Sequence, residues 1–331
     1  MKKSLYPLAA VLIIAAIAAL AAQSPPARWL IAVVLPYAAA LTLLAGLTWR
    51  VIRWASSPVP FRIPTVCGQQ KSLPWIKPGW LESPYTTTGV VARMALEILL
   101  FRSLFRNSRV DLRDGPRLTY GEEKLLWLGA LMFHWSFLFV LLRHLRLLVE
   151  PVPAFVIGLE RIDGFFRIGA PVLYGTDIAI VAALLYLLYR RLGDARIRYI
   201  SLFTDYFALL LLLGISLSGM WIRYFGRADV TAVKQFALGL ATFSPVVPAF
   251  QSTWFFVHLT FVSALAAYFP FSKLVHMGGV FLSPTRNLAN NNRMKRHVNP
   301  WNYPVKVHTY EEWETEFHDK IAAAGLPLER P

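Results

Sequence analysis

The sequence predicts an all-α membrane protein, a helical transmembrane bundle of about six spans. Three observations carry this reading. Of 331 residues, 56% are hydrophobic and only 16% charged, whereas a soluble domain is about a quarter charged. Several apolar runs reach about 18 residues or more, enough to cross a hydrocarbon core of about 30 Å as helix. The alternating, turn-punctuated strands of a membrane barrel are absent, and only helices satisfy their own backbone groups in lipid.

Spans are expected at about residues 4–22, 29–49, 122–148, 169–189, 199–222 and 251–276. The first competes with another reading. Lys2, Lys3, an apolar stretch and LAAQSPPA resemble a secretion signal with a small-residue cleavage site. The run from Leu5 to Ala22 is longer than a usual signal core, which favours a retained helix. Four regions follow: two N-terminal helices (1–50), a loop (51–121), a four-helix core (122–276) and a tail (277–331). Within the loop, GVVARMALEILLFRSLFRN reads as an amphipathic helix, with Met94, Ile98, Phe101 and Leu104 or Phe105 on one face. Such a helix suits the membrane surface, which its arginines favour, or a docked partner. TAVKQFALGLATF (231–243) reads as an interfacial helix, and EEWETEFHDK as a short acidic helix in the tail.

The net charge is +15. In a soluble protein that would raise nucleic acid as a partner; here a lipid bilayer explains it, because basic residues stay on the cytoplasmic side. With the N-terminus inside, 24 of the 34 Lys and Arg fall in the inside stretches and six in the outside ones. N- and C-termini are therefore expected on the cytoplasmic face of a prokaryotic inner membrane. The one cysteine, Cys67, excludes an internal disulfide and cannot alone build a zinc or iron–sulfur site. It is either an inert thiol, the favoured reading, or a contact to a partner's cofactor.

The histidines carry the chemistry. His134 and His144 fall in the third span, His258 and His276 in the sixth; His297, His308 and His318 lie in the polar tail. An imidazole in lipid needs a partner, and one such residue is as well explained by a bond across helices. Two helices with two imidazoles each, one toward each face, suggest more. The third span runs inside to outside and the sixth returns, so side by side they pair His134 with His276 (inner) and His144 with His258 (outer). Each pair can hold one haem b, with neutral imidazoles as axial ligands of the iron. At 1.5 Å per residue the ligands stand about 15 Å apart on the third span and about 27 Å on the sixth. Tilted helices absorb that mismatch, and Pro270 should kink or interrupt the sixth. Such iron has no open position, so these haems transfer electrons rather than activate oxygen. That equipment needs a quinone and a soluble redox partner.

Arg143 and Arg146 are candidates for the propionates of the outer haem, or simply reach toward the interface. Gly214, Ser216, Ser218 and Gly219 let a macrocycle or another helix approach closely. Asp177 either accepts quinol protons, pairs with an arginine or caps its helix.

The His spacings of ten and eighteen residues and the string FPFSKLVH (269–276) resemble the gamma subunit of respiratory nitrate reductase. The loop text FRIPTVCGQQKSLPWIKPGW and the tail LSPTRNLANNNR resemble the DsrM family, cytochrome b subunits of a complex associated with dissimilatory sulfite reduction. The resemblance implies two haems b on the four histidines, paired as above, and menaquinol as electron donor. It implies a cytoplasmic iron–sulfur partner resembling heterodisulfide reductase, and periplasmic multihaem cytochrome c, iron–sulfur and second quinone-interacting membrane subunits. The chain would then be an electron-transfer subunit of a quinol-linked oxidoreductase, not itself catalytic on the sulfur substrate. A nitrate reductase gamma subunit or a heterodisulfide reductase membrane subunit is the nearest alternative, though the extra N-terminal span and the long loop depart from the nitrate type. A cofactor-free anchor or transporter is the alternative of another class.

Overall fold

A computed structural model describes residues 2–57, 68–115, 117–164, 172–226, 228–248, 252–283, 286–295 and 307–329. Cys67, Arg167, Arg227 and His297 lie outside the described residues. The chain is mostly helical. α1 (Lys2–Ala21) is followed by α2 (Pro25–Trp29), a π turn (Leu30–Val34) and α3 (Leu35–Ala55), stacked as one rod. Pro25 and Pro26 start that rod, where a missing N–H costs nothing. The wider π turn accommodates the ring of Pro36, which would crowd the carbonyl one turn earlier.

α4 (Thr87–Leu100) opens on Thr86, whose hydroxyl accepts from the Gly89 N–H at 3.2 Å. The expected single amphipathic helix is corrected here. Phe101 adopts φ 51°, the left-handed region, and a separate turn α5 (Arg102–Phe105) follows. The two pieces dock on α6 (Lys124–Leu148): the indole N–H of Trp127 donates to the Leu100 carbonyl (2.7 Å) and that of Trp135 to the Leu99 carbonyl (3.0 Å). These carbonyls end α4 and would otherwise lack donors. Between α5 and α6 lies an unexpected antiparallel hairpin, β1 (Ser108–Arg113) with β2 (Arg117–Glu122), in register from Ser108↔Glu122 to Arg113↔Arg117. The Asp114-Gly115 dipeptide, with Gly115 at φ 79°, was the available signal.

α7 (Ala154–Asp163) and α8 (Gly175–Gly193) follow, then α9 (Ala195–Ile200), α10 (Phe203–Tyr224), α11 (Val230–Ala241) and α12 (Thr253–Tyr268). Among the described residues, five helices are long and apolar enough to cross a membrane: 4–21, 25–55, 124–148, 203–224 and 253–271. The expected fourth span corresponds to α8, whose 19 residues carry Asp177 near one end and Arg190 and Arg191 near the other. The expected fifth span starts later than residue 199. α9 ends at Ile200, and the Asp205 carboxylate accepts from the Leu202 N–H (3.0 Å) to open α10.

α12 is interrupted where Pro270 predicts it. Two 3-10 turns, Phe269–Phe271 and Lys273–Val275, lead to α13 (His276–Leu282). The eighteen-residue helical ruler between His258 and His276 therefore does not apply. Arg50 satisfies the Pro270 carbonyl through Nε (3.1 Å) and Nη2 (2.8 Å). A Cβ on Gly46 would stand 2.7 Å from Pro270, so that position of α3 has no room for a side chain. α14 (Tyr310–Ala323), the expected acidic tail helix, opens on a capping box between Thr309 and Glu312.

The helices pack in the row α6, α8, α10, α12, α3, with α1 lying across α10 and α12. Val11 and Ala18 of α1 are buried against Leu211, Val257 and Phe261, which makes the first helix part of the core. α11 seats Phe236 among Ala32, Val33, Phe255 and Phe256. Ile180, Leu184 and Leu212 join α8 to α10. The outward faces stay apolar, with Leu12, Ile13, Ile17, Leu41, Leu44, Leu125, Leu128 and Leu141 exposed. So large an apolar exterior suits lipid.

The loop and the tail fold together at one end. The Asn290 N–H donates to the Pro84 carbonyl (2.6 Å), Gln70 bonds Asn292, Arg93 bonds the Arg286 carbonyl, and Arg286 pairs with Glu97 at 3.3 Å. Arg102 and Arg106 both pair with Glu82. The hydrogen bond from Arg102 holds the Glu82 carboxyl below its ordinary value of 4.5, although burial pulls it upward. A depressed carboxyl stabilises the fold above its ordinary value and loses that contribution as pH falls through the lowered one. Hydrogen-exchange protection of residues 82–106 is therefore expected at neutral pH and should fall once the pH drops below 4.5. Glu82→Gln should abolish the pH dependence; the same acid-induced loss in that variant would show that another group is responsible.

Candidate functional site

α6 turns one stripe toward α8: Gly129, Ser136 and Arg143, seven residues apart and all buried. A Cβ on Gly129 would lie 2.5 Å from the Tyr186 ring, so glycine is what lets the two helices close. Seven residues are nearly two full turns, so His134 and His144 point off this stripe. α6 and α12 are separated along the packed row by α8 and α10. His276, beyond the α12 interruption, comes back to α6 at His134.

His134 and His276 stand with ring centroids 6.0 Å apart and planes at 78°. Phe101 and Phe133 meet the His134 ring edge-on at 4.8 and 4.9 Å. His144 lies ten residues along α6 from His134, and His258 of α12 sits against Gly219 and Ser218 of α10. The first expected pair is thus brought together, across the α12 interruption rather than along a continuous helix.

All four Nδ1 atoms are engaged. His134 Nδ1 contacts the Ala130 carbonyl (2.8 Å), His144 the Val140 carbonyl (2.7 Å) and His276 the Lys273 carbonyl (2.8 Å). His258 differs, because its partners lie on another helix: the Ile215 carbonyl at 3.1 Å and Ser218 Oγ at 3.0 Å. The Ser218 hydroxyl donates to the Gly214 carbonyl (2.7 Å), leaving its oxygen to accept. A carbonyl can only accept, so each Nδ1 carries the proton and each Nε2 lone pair is free to ligate. Metal-binding imidazoles are fixed in this way. No group of three or more His, Cys, Asp or Glu among the described residues forms a metal cage. Facing pairs suit instead a macrocycle that brings four nitrogens of its own and needs two axial ligands. The residues present fit such a group.

Of the small residues on α10, Gly219 faces His258, where a Cβ would lie 3.1 Å from the imidazole Cε1, and Gly214 packs under Phe261. Ser216 bonds the Leu212 carbonyl (2.9 Å). The structure engages both candidate propionate arginines with carboxylates of the same chain: Arg143 with Asp177 (2.6 Å) and Asp163 (3.2 Å), Arg146 with Glu160 (2.7 Å). Of the expected roles of Asp177, pairing with an arginine is the one observed. Tyr224, whose hydroxyl donates to Asp177 at 2.7 Å, and Asp163 were not anticipated. No sequence pattern announces either residue, because each joins through tertiary contact.

Comparison with known proteins supplies the relationship. The family described as nitrate reductase gamma subunit matches residues 86–296. An Hdr-like menaquinol oxidoreductase cytochrome b-like subunit of Archaeoglobus fulgidus is 46% identical over 277 residues, covering 81% of this chain and 82% of the relative. The protein of the same name from Archaeoglobus profundus is 40% identical over 274 residues, 81% of each chain. The nitrate reductase gamma chain of Bacillus subtilis is 32% identical over 177 residues, 51% of this chain and 77% of its own. The family model spans more than half of the chain, which belongs to the nitrate reductase gamma subunit family.

Proposed function

We propose that this chain is the dihaem cytochrome b subunit of a quinol-linked oxidoreductase, passing electrons from menaquinol across the membrane to a cytoplasmic iron–sulfur partner. One observation carries the reading: four imidazoles on α6, α12 and α13, each with Nδ1 held by a hydrogen bond, and two of them, His134 and His276, facing each other at 6.0 Å. His134 and His276 would hold the inner haem, and His144 and His258 the outer one. When bound, each haem supplies one-electron transfer without an open coordination position. The protein orients the ligands, excludes water with Phe101 and Phe133, and keeps Asp177 paired on the outer side. α8 joins the spans α6, α10 and α12 in a four-helix core, which with the two N-terminal spans gives six crossings with both termini inside.

The names of the Archaeoglobus relatives support menaquinol and a partner of heterodisulfide-reductase type. The folded loop and tail, with several basic residues, offer that partner a surface at the His134–His276 end. The resemblance of the loop and tail text to the DsrM family supports a place in sulfur metabolism, with periplasmic multihaem cytochrome c, iron–sulfur and second quinone-interacting subunits. The reading predicts two haems b per purified chain by pyridine haemochrome, reduced by a menaquinol analogue without dithionite. A chain with no haem band would overturn it, and haems reduced only by dithionite would remove the quinol.

A further inference from the structure

Arg143 is 7% exposed and lies toward the outer end of α6. Its guanidinium pairs with Asp163 at the end of α7 (3.2 Å) and Asp177 in the first turn of α8 (2.6 Å), and donates to Thr176 Oγ1 (3.2 Å). Thr176 returns its hydroxyl (2.5 Å) and its N–H (2.8 Å) to Asp163. Tyr224 of α10 donates to Asp177 and accepts from the Tyr174 N–H at 3.1 Å. The Tyr174 ring lies between two cations, Arg143 at 3.8 Å and Arg223 at 4.2 Å. Two arginines and two aspartates balance in charge, and four helices meet in one buried polar cluster.

Such a cluster is a costly way to join helices in an apolar setting. Its use lies in direction. Successive helical residues are about 100° apart, so a guanidinium pinned toward α7 and α8 fixes where the next side chain points. That side chain is His144. His134, nine residues before Arg143, lies about 13.5 Å down the axis, with Phe101 from outside α6 set against its ring.

We propose that the Arg143–Asp163–Asp177–Tyr224 cluster is a rotational latch on α6 that aims His144 at His258, and that it positions the outer pair without serving the inner one. The proposal rests on reading the histidines as haem ligands, and it makes Arg143 a positioning residue rather than a propionate partner. Its test has two arms. In the haem-loaded chain, Arg143→Gln and the double variant Asp163→Asn/Asp177→Asn should shift or broaden the EPR gmax of the outer haem, which reads the angle between axial imidazoles. They should at least halve the occupancy of that haem and leave the inner signal unchanged. Arg143→Lys should recover part of the loss, and Arg161→Gln, at an exposed position of α7, should change nothing. In haem-free membranes, a His144→Cys/His258→Cys chain should cross-link efficiently with a short bifunctional thiol reagent, and adding Arg143→Gln should cut the yield several-fold. Equal loss of both haem signals together with thermal stability, or an unchanged cross-linking yield, would overturn the latch. Absence of haem from the parent chain would instead sink the functional reading and leave the cross-linking arm to decide the latch.

Discussion

His134→Ala and His276→Ala should each leave one haem b per chain instead of two, and the haem lost should be the same one. Their rings face each other at 6.0 Å, and a macrocycle held between them would lose one of its two protein ligands in either variant. Phe101 and Phe133, the other rings against His134, carry no lone pair for iron. His144→Ala and His258→Ala should remove the other haem. Pyridine haemochrome gives the count, and redox titration of the remaining α band tells which centre survives. Losses grouped as 134 with 144 and 258 with 276 would contradict the facing geometry, and losses with no grouping would exclude axial ligation by these residues.

Gly129→Leu should be the most damaging change outside the histidines. A Cβ alone would stand 2.5 and 2.7 Å from two carbons of the Tyr186 ring, and the ring lies on the partner helix rather than at a flexible end. Overpacking a closed helix contact typically costs about 1–3 kcal/mol, and here it pries apart the α6–α8 contact on which both α6 histidines depend. Both haems should therefore decline together, with a lowered midpoint in thermal unfolding. This separates a packing defect from the outer-selective effect of Arg143→Gln. Gly129→Leu with Tyr186→Ala should recover part of the loss by opening the space; a double variant no better than the single one would place the strain elsewhere.

What the sequence revealed, it revealed through contrast. A histidine in an apolar run stands out, and alternating helix direction turns four positions into two pairs with no tertiary information. Pro270 announced its interruption because a proline removes a helical N–H donor and crowds the carbonyl one turn earlier. Legibility fell where structure is made between segments. A phenylalanine at φ 51° has no sequence signal, so the break at Phe101 was invisible and α4 and α5 read as one face. The hairpin at 108–122 was obscured by its basic surroundings despite Asp114-Gly115. Asp163, Tyr174 and Tyr224 looked like ordinary residues at helix ends, and only folding brings them to Arg143. The partners of His258 on α10 were hidden for the same reason, since Ser218 and Ile215 lie forty or so residues away in the chain.

The clasp of Arg50 on the Pro270 carbonyl has a consequence for modularity. The family match starts at residue 86, yet the segment that delivers His276 is tied to a guanidinium on α3 and rests in a space kept open by Gly46. Residues 86–296 are therefore not a portable cassette: transplanted alone, they would carry an exposed backbone acceptor beside one of their own imidazoles. The N-terminal pair is masonry around the inner site, and a hybrid subunit built by exchanging it must carry this arginine and this glycine across together.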